Sequence, residues 1–417
     1  MKIPIPSQNT ILKSMREISL AIIVIGAGLG MYLNFYFGNI GWNNFLMLFA
    51  LIFIPNWKNL LSNKLYTFPN TIKFILFFQL FVIIYMILAN AAKIDYVYTF
   101  FTIIFIVGLS SSKPGTVRWE RVIYFSWILG WICLILCIRT IITGAYFIEY
   151  AHSHDGSGYE SILVDLTMAG NLINFIACCL YFIKTSNRIK VKFSILGIFL
   201  SLLLIFILGK RTPLILAIIL IILYIYRFNP PSRYIKKSTL YFFIGIILGI
   251  FILFQIPVVH EMFFDIMKRT ISGVLDLLNG TSNSGMAAVE RYYLRNWAFN
   301  YIDNRFYMFN YVLGAGYMTK WLDAPLLQAF LDLGIIGFLF YLYLVIIKPL
   351  KIIFSPLDRN PIIFWGTSLC LYNILSAMNS GHPYSHLKWI PIIILFLILR
   401  DYKYKEQYTI IKIQNSI

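Results

Sequence analysis

"SILGIFLSLLLIFILGKRTPLILAIILIILYIYRF", residues 194–228, decides the fold. Two apolar runs of membrane-spanning length are separated only by Gly209-Lys210-Arg211-Thr212-Pro213. A stretch of about 20 apolar residues is what a helix needs to cross a bilayer, so this segment reads as a tight membrane hairpin with two cations at its tip. The same kind of run recurs along the 417 residues, of which 59% are hydrophobic and 12% charged, and mean hydropathy is +0.77. The runs are too long and too unalternating for the strands of an outer-membrane barrel. The chain therefore reads as an all-α polytopic membrane protein. Its first apolar run lacks a small-residue cleavage site and reads as a retained helix.

About twelve spans are expected, near 18–37, 40–55, 72–91, 94–111, 122–145, 161–183, 193–209, 212–227, 240–257, 325–347, 361–379 and 386–400. Loop charge orients them. With Lys2, Lys13 and Arg16 in the cytoplasm, alternate connections carry the basic groups Lys113/Arg118/Arg121, Lys184/Arg188/Lys190/Lys192, Arg233/Lys236/Lys237 and Lys348/Lys351/Arg359. About two thirds of the 35 Lys and Arg then fall inside, as the positive-inside rule expects, and both termini are cytoplasmic. The net charge of +18 is explained by topology; scattered among spans, it forms no stripe for nucleic acid. The organisation is residues 1–257 with nine spans, one large outer loop at 258–324, and residues 325–417 with three spans and a cytoplasmic tail. Cys133, Cys137, Cys178, Cys179 and Cys370 all lie inside apolar runs without metal or redox spacing, which makes packing their role.

The polar residues that remain fall on the outer side. Lys210 and Arg211 have two readings: cations that snorkel to the headgroups, or an anion site in which Pro213 opens a helix whose free N–H groups face the ligand. Arginine's planar fork matches phosphate oxygens in pairs. "HEMFFDIMKRTISGVLDLL", 260–278, has helical apolar spacing and is expected to lie at the interface. "ERYYLRNWAFNYIDNRF", 290–306, reads as a second loop helix. Arg291 and Arg295 share one face, as do Trp297 and Tyr301; they are either a merely solvated face or a sugar–phosphate surface. "VLGAGY", 312–317, is a tight turn. Beyond it Asp323 precedes a helix that carries Gln328 and Asp332 inward, and Asp332 needs a partner in so apolar a run. Gly334 and Gly337 are read as sites of close helix approach. The last outer loop, "NSGHPYSHLKW", 379–389, holds His382, His386 and Lys388. Pro383 argues against a helical histidine metal pair, and substrate or product binding is the preferred role.

These features together resemble the O-antigen polymerase and O-antigen ligase superfamily of bacterial envelope glycosyltransferases. The resemblance rests on the "GKRTPL" hairpin, the late outer loop with its Arg/Trp stretch, "GAGY", and a "D…LQ…D.GIIG" entry to the next helix. It implies a multi-helix, lipid-sugar transferase fold of the GT-C-like class. It also implies transfer of an oligosaccharide from an undecaprenyl pyrophosphate donor at the outer face of the inner membrane, with no metal or nucleotide cofactor. Partners implied are the lipid-linked oligosaccharide, membrane lipid and a polysaccharide chain-length regulator. Ligases of this superfamily carry a His-Asn pair before the Leu-Gln; here the positions are Asp323 and Ala324, which favours a polymerase of O-antigen or capsule repeat units. His382 keeps the ligase reading open. On this resemblance Arg211, Arg291 and Asp323 are catalytic candidates. Lys210, Arg295, Trp297, Tyr301, Gln328, His382, His386 and Lys388 are candidates for substrate binding. A lipid-linked oligosaccharide flippase, which also has about twelve helices, and an integral-membrane acyltransferase decorating envelope sugars are the other classes. The first is expected to spread charge along a central cavity, and the second to hold a histidine on the cytoplasmic side.

Overall fold

A computed structural model describes residues 8–37, 42–62, 66, 69–142, 147–149, 159–161, 166–207, 211–228, 255, 264, 286–378 and 381–414. The helices are α1 (Gln8–Phe37), α2 (Trp42–Phe53), α3 (Trp57–Leu61), α4 (Asn70–Leu88), α5 (Lys93–Ser110), α6 (Trp119–Ile142), α7 (Leu166–Thr185), α8 (Arg188–Ile207), α9 (Arg211–Phe228), α10 (Met286–Arg305), α11 (Met308–Leu313), α12 (Pro325–Tyr341), α13 (Lys348–Ile353), α14 (Pro361–Ser376) and α15 (His386–Gln414). A π-helical turn, Leu342–Ile347, joins α12 to α13. It lies just before Pro349, which has no N–H to return to the preceding turn. α14 starts on a side-chain cap. Asn360 accepts from the N–H groups of Ile362 and Ile363, and Pro361 suits the first position.

The chain is a helical membrane protein. Asn70–Leu88, Trp119–Arg139 and the stretch Pro325–Ile353, which is interrupted at Gly334, are long and apolar enough to cross a bilayer, and shorter apolar helices accompany them. One element departs from the all-α expectation. Phe147–Glu149 and Tyr159–Ser161 pair antiparallel, Ile148 opposite Glu160; three-residue strands are too short to give an alternating pattern. The expected span 240–257 lies outside the described residues apart from an isolated position, as does the expected interfacial helix 260–278. The last helix runs past the expected 400 to Gln414, since a helix leaving the membrane need not stay apolar.

α7 is the hub. It packs on α1, α6, α8, α9 and α14, and Leu172, Ile173 and the unbroken run Phe175–Phe182 are buried, as a helix apolar on every side requires. All five cysteines are buried free thiols, and Cys178 Sγ accepts from Trp365 Nε1 at 3.2 Å.

Side-chain contacts sort the helix ends into two sets. At one end Glu17 pairs with Arg121 at 3.5 Å, Trp119 Nε1 donates to Asp401 at 3.0 Å, Arg227 donates to the Ile353 carbonyl, and the Lys184 ammonium lies over Phe228. At the other, Tyr85 donates to the Leu313 carbonyl at 2.7 Å and Leu326 N–H to Ala377 at 3.0 Å. Helices that meet in this way alternate in direction, with those basic connections that lie among the described residues gathered at the first end.

The feature that positions the site is a break in α12. Gly334 has φ +66° within the helix, a conformation that only glycine adopts without strain. The break frees the carbonyls of Leu331 and Asp332, which accept from the N–H groups of Ala315 at 2.8 Å and Gly316 at 3.1 Å. Backbone crosses backbone here. A Cβ on Gly334 would strike the Val312 carbonyl, and one on Gly314 (φ +82°) the Asp332 carbonyl. Gly334 thus permits the close helix approach that its sequence context implied, its neighbour being the last turn of the short helix α11. Gly334→Ala and Gly314→Ala are each expected to destabilise the protein by about 2–4 kcal/mol, read as a lowered unfolding temperature in detergent; wild-type melting would contradict the crossing.

Candidate functional site

The 314–324 loop is held to α12 by one carboxylate. Asp332 is 0% exposed. Its Oδ1 accepts from Thr319 N–H at 3.1 Å. Its Oδ2 accepts from Met318 N–H at 3.1 Å, Gln328 Nε2 at 2.7 Å and the Tyr384 hydroxyl at 2.9 Å. The partner that the sequence demanded for this residue is therefore fourfold. Gln328 extends the same network: its Oε1 accepts from Leu322 N–H at 2.9 Å, so both ends of its amide are engaged in holding the loop. Tyr384 packs its ring against Tyr317 at 4.8 Å. Burial and the nearby carboxylates push the Tyr317 phenol upward, so it remains protonated.

The last loop is fixed from beneath. Trp389 Nε1 donates to the Pro383 carbonyl at 2.9 Å, and Asn373 Nδ2 to the Lys388 carbonyl at 2.8 Å. Above this frame Asp323, itself at φ +50°, accepts from Gly381 N–H at 2.5 Å. Its charge acts on Lys388, which lies in the first turn of α15, is 6% exposed and donates to Ser376 Oγ. The ring of His382 sits on Trp321 at 4.8 Å, and its Nδ1 is buried without a hydrogen-bond partner. Burial, and after it the charge of Lys388, push this imidazole down from 6.5 to about 4, so it is neutral near neutral pH.

These groups border a cavity of about 380 Å³ between α1, α7, α14 and α15. Lys388, His382, Asn373 and Trp321 line it on the loop side, while Ile23, Val24, Leu369 and Ile394 supply apolar walls. Such a space can receive a molecule with a polar or anionic head and an apolar body.

The sequence-derived candidates fall into three groups. Asp323, His382 and Lys388 come together, with Gln328 supporting them from the hydrogen-bond network. Arg295 Nη2 donates to the Met378 carbonyl, just beyond α14, at 3.1 Å; Arg291 lies one turn earlier on the same helix. Trp297 and Tyr301 stack at 5.0 Å, and the Lys320 ammonium lies 4.5 Å from the Trp297 ring centroid, so the protein itself already uses Trp297's ring. His386 opens α15, buried, with its ring 5.4 Å from Phe101. Arg211 is the first residue of α9, and Lys210 lies outside the described residues. Among the described residues no three His, Cys, Asp or Glu side chains gather as a metal site would need. Tyr384, Tyr317, Ser376 and Asn373 belong to the site but were not candidates; Tyr317 closes the "GAGY" turn and Tyr384 lies among the last-loop candidates, while Ser376 and Asn373 carried no local signal.

The chain matches no protein-family model and no curated protein.

Asp332→Ala is expected to cost on the order of 3 kcal/mol or more, because it strands buried donors from three segments; an unfolding temperature within error of wild type would contradict the network. The His382 shift has a defined sign. Its folded pKa is depressed, so the stability it contributes is complete above about 6.5 and is lost as pH falls toward about 4. His382→Gln should make the fall in melting temperature across that window shallower, buried His386 accounting for a decline of the same sign, and an unchanged acid-side decline would contradict the burial of His382 as the neutral base.

Proposed function

We propose that this chain is a metal-independent glycosyltransferase of the bacterial inner membrane. In this reading it polymerises undecaprenyl-pyrophosphate-linked oligosaccharide repeat units into a surface polysaccharide. About twelve spans put both termini in the cytoplasm and the 258–324 loop outside. The observation that carries the reading is the meeting of the loops that carry Asp323 and His382–Lys388 beside an apolar-walled cavity, with Arg295 bonded to the Met378 carbonyl just before the last loop. That meeting occurs at the end of the bundle opposite the basic connections. A cytoplasmic basic end, as the positive-inside rule expects, leaves the polar group where a translocated lipid-linked donor arrives.

The chemistry asks little of the protein beyond placement and charge. An acceptor sugar hydroxyl attacks the anomeric carbon of the donor. The bond from that carbon to the diphosphate oxygen breaks, and the lipid diphosphate leaves with the electron pair. Asp323, oriented by Gly381 N–H, takes the hydroxyl proton. Arg211 and Arg291 grip the diphosphate in bidentate fashion, with Lys210, Arg295 and Lys388 adding positive charge. Tyr301 and the exposed edges around Trp297 face the glycan. His386 and Gln328 act from below, through packing and through the loop's hydrogen bonds.

One observation favours a second reading. His382 is a neutral imidazole at the cavity with an unbonded Nδ1, the kind of base an O-antigen ligase would use to place finished glycan on lipid A-core. The readings separate in a complemented deletion strain. Arg211→Ala, Arg291→Ala and Asp323→Asn should each reduce polymer yield by about tenfold or more, leaving single repeats on the core. If His382→Gln instead left lipid-linked polymer accumulated, the ligase reading would replace the polymerase one. Unchanged polymer length and yield in both arginine variants would overturn the transferase site.

A further inference from the structure

α11, Met308–Leu313, is built inside out. It buries none of its residues, and Tyr307, Met308 and Phe309 are 77%, 84% and 79% exposed. Its polar group is spent locally: Asn310 Oδ1 accepts from Tyr307 N–H at 3.2 Å, and Asn310 Nδ2 donates to the Gly314 carbonyl at 3.1 Å. A short helix that satisfies its own polar groups and presents Tyr, Met and Phe outward is suited to the acyl–headgroup boundary, where amphipathic aromatics concentrate.

Its attachment sets its depth. Tyr85 donates to the Leu313 carbonyl at 2.7 Å, one turn before the end of α4. The 19 residues of α4 span about 28 Å, close to the thickness of the hydrocarbon core. Phe74, Phe77, Leu80, Ile84, Ile87 and Leu88 are all exposed and recur every three or four residues, so they form one apolar stripe along α4. That stripe is the face a spanning helix turns to lipid, and it ends beside the Tyr85–Leu313 bond that carries α11.

We propose that α11 is an interfacial anchor, seated by Tyr307, Met308 and Phe309 in the outer boundary of the bilayer. Through the Gly314–Gly334 crossing it fixes the height of the 314–324 loop above the membrane. The occupant of this surface is lipid, and the inference stands whether or not the transferase reading does.

The test uses the full chain in nanodiscs. All five native cysteines are buried, so Met308→Cys, Phe309→Cys and, as a mid-span reference, Leu80→Cys take an environment-sensitive maleimide dye selectively. Lipids brominated near the headgroup or near the chain end then report depth. The expected result is strong loss of emission at 308 and 309 with shallow bromines, weaker loss with deep ones, and the reverse order at 80. Water-like emission at 308 and 309 without bromine quenching would overturn the proposal. So would quenching chiefly by deep bromines, or dye self-quenching that depends on the number of copies per disc and marks a protein partner.

Discussion

The side chain on which the loop-bearing end of the bundle depends is the carboxylate of Asp332. An acidic group in a membrane helix is costly, about 2.5–3.5 kcal/mol at mid-span on insertion scales, and it persists only where it is hydrogen-bonded. Asp332 meets that condition with donors from the 316–322 loop, from its own helix and from the loop that precedes α15. Two loops on either side of α12 and α14 in sequence are thereby fixed to a single carboxylate. The loop carrying Asp323 and the loop carrying His382 consequently have a defined mutual position.

The glycine-permitted break in α12 is the backbone counterpart of that network. A regular helix would keep the Leu331 and Asp332 carbonyls for itself; Gly334 releases them to Ala315 and Gly316. Non-helical backbone inside a membrane protein is tolerated where the protein re-satisfies it or where it lines a cavity, and here the 314–316 turn does so directly. Side chain and backbone act on the same few residues, so the platform is held twice. The cavity beside it combines apolar walls from α1, α14 and α15 with a buried ammonium and a neutral imidazole, a composition suited to an amphiphile with an anionic head.

Much of this was legible in the sequence because apolar runs and prolines act locally. The hairpin 194–228 forms two helices whose second begins at Arg211, and Pro325 and Pro361 begin helices as first-turn prolines should. Asp332 was recognisable as a residue in need of a partner. What the sequence did not disclose is which groups meet. Tyr384 lies 52 residues from Asp332, and nothing near it in sequence marks it as the donor. Gln328 and Trp297 looked like ligand groups because a polar amide and an exposed-looking aromatic in a candidate loop do; in the fold their bonds and ring contacts are largely internal. The short hairpin at Phe147–Glu149 escaped for want of length.

The two ends of the molecule are therefore chemically different: a basic one where Arg121, Arg227 and Arg400 meet acidic or carbonyl oxygens, and a polar platform hung from Asp332. The proposed function requires the platform to lie on the outer side of the inner membrane. Single-cysteine variants at Asn304, on α10, and at Lys405, near the far end of α15, test that placement in intact cells with a membrane-impermeant maleimide. Labelling at 304 from outside, with 405 reacting only after permeabilisation, is the predicted result. The opposite pattern, or labelling of both from the same side, would contradict it.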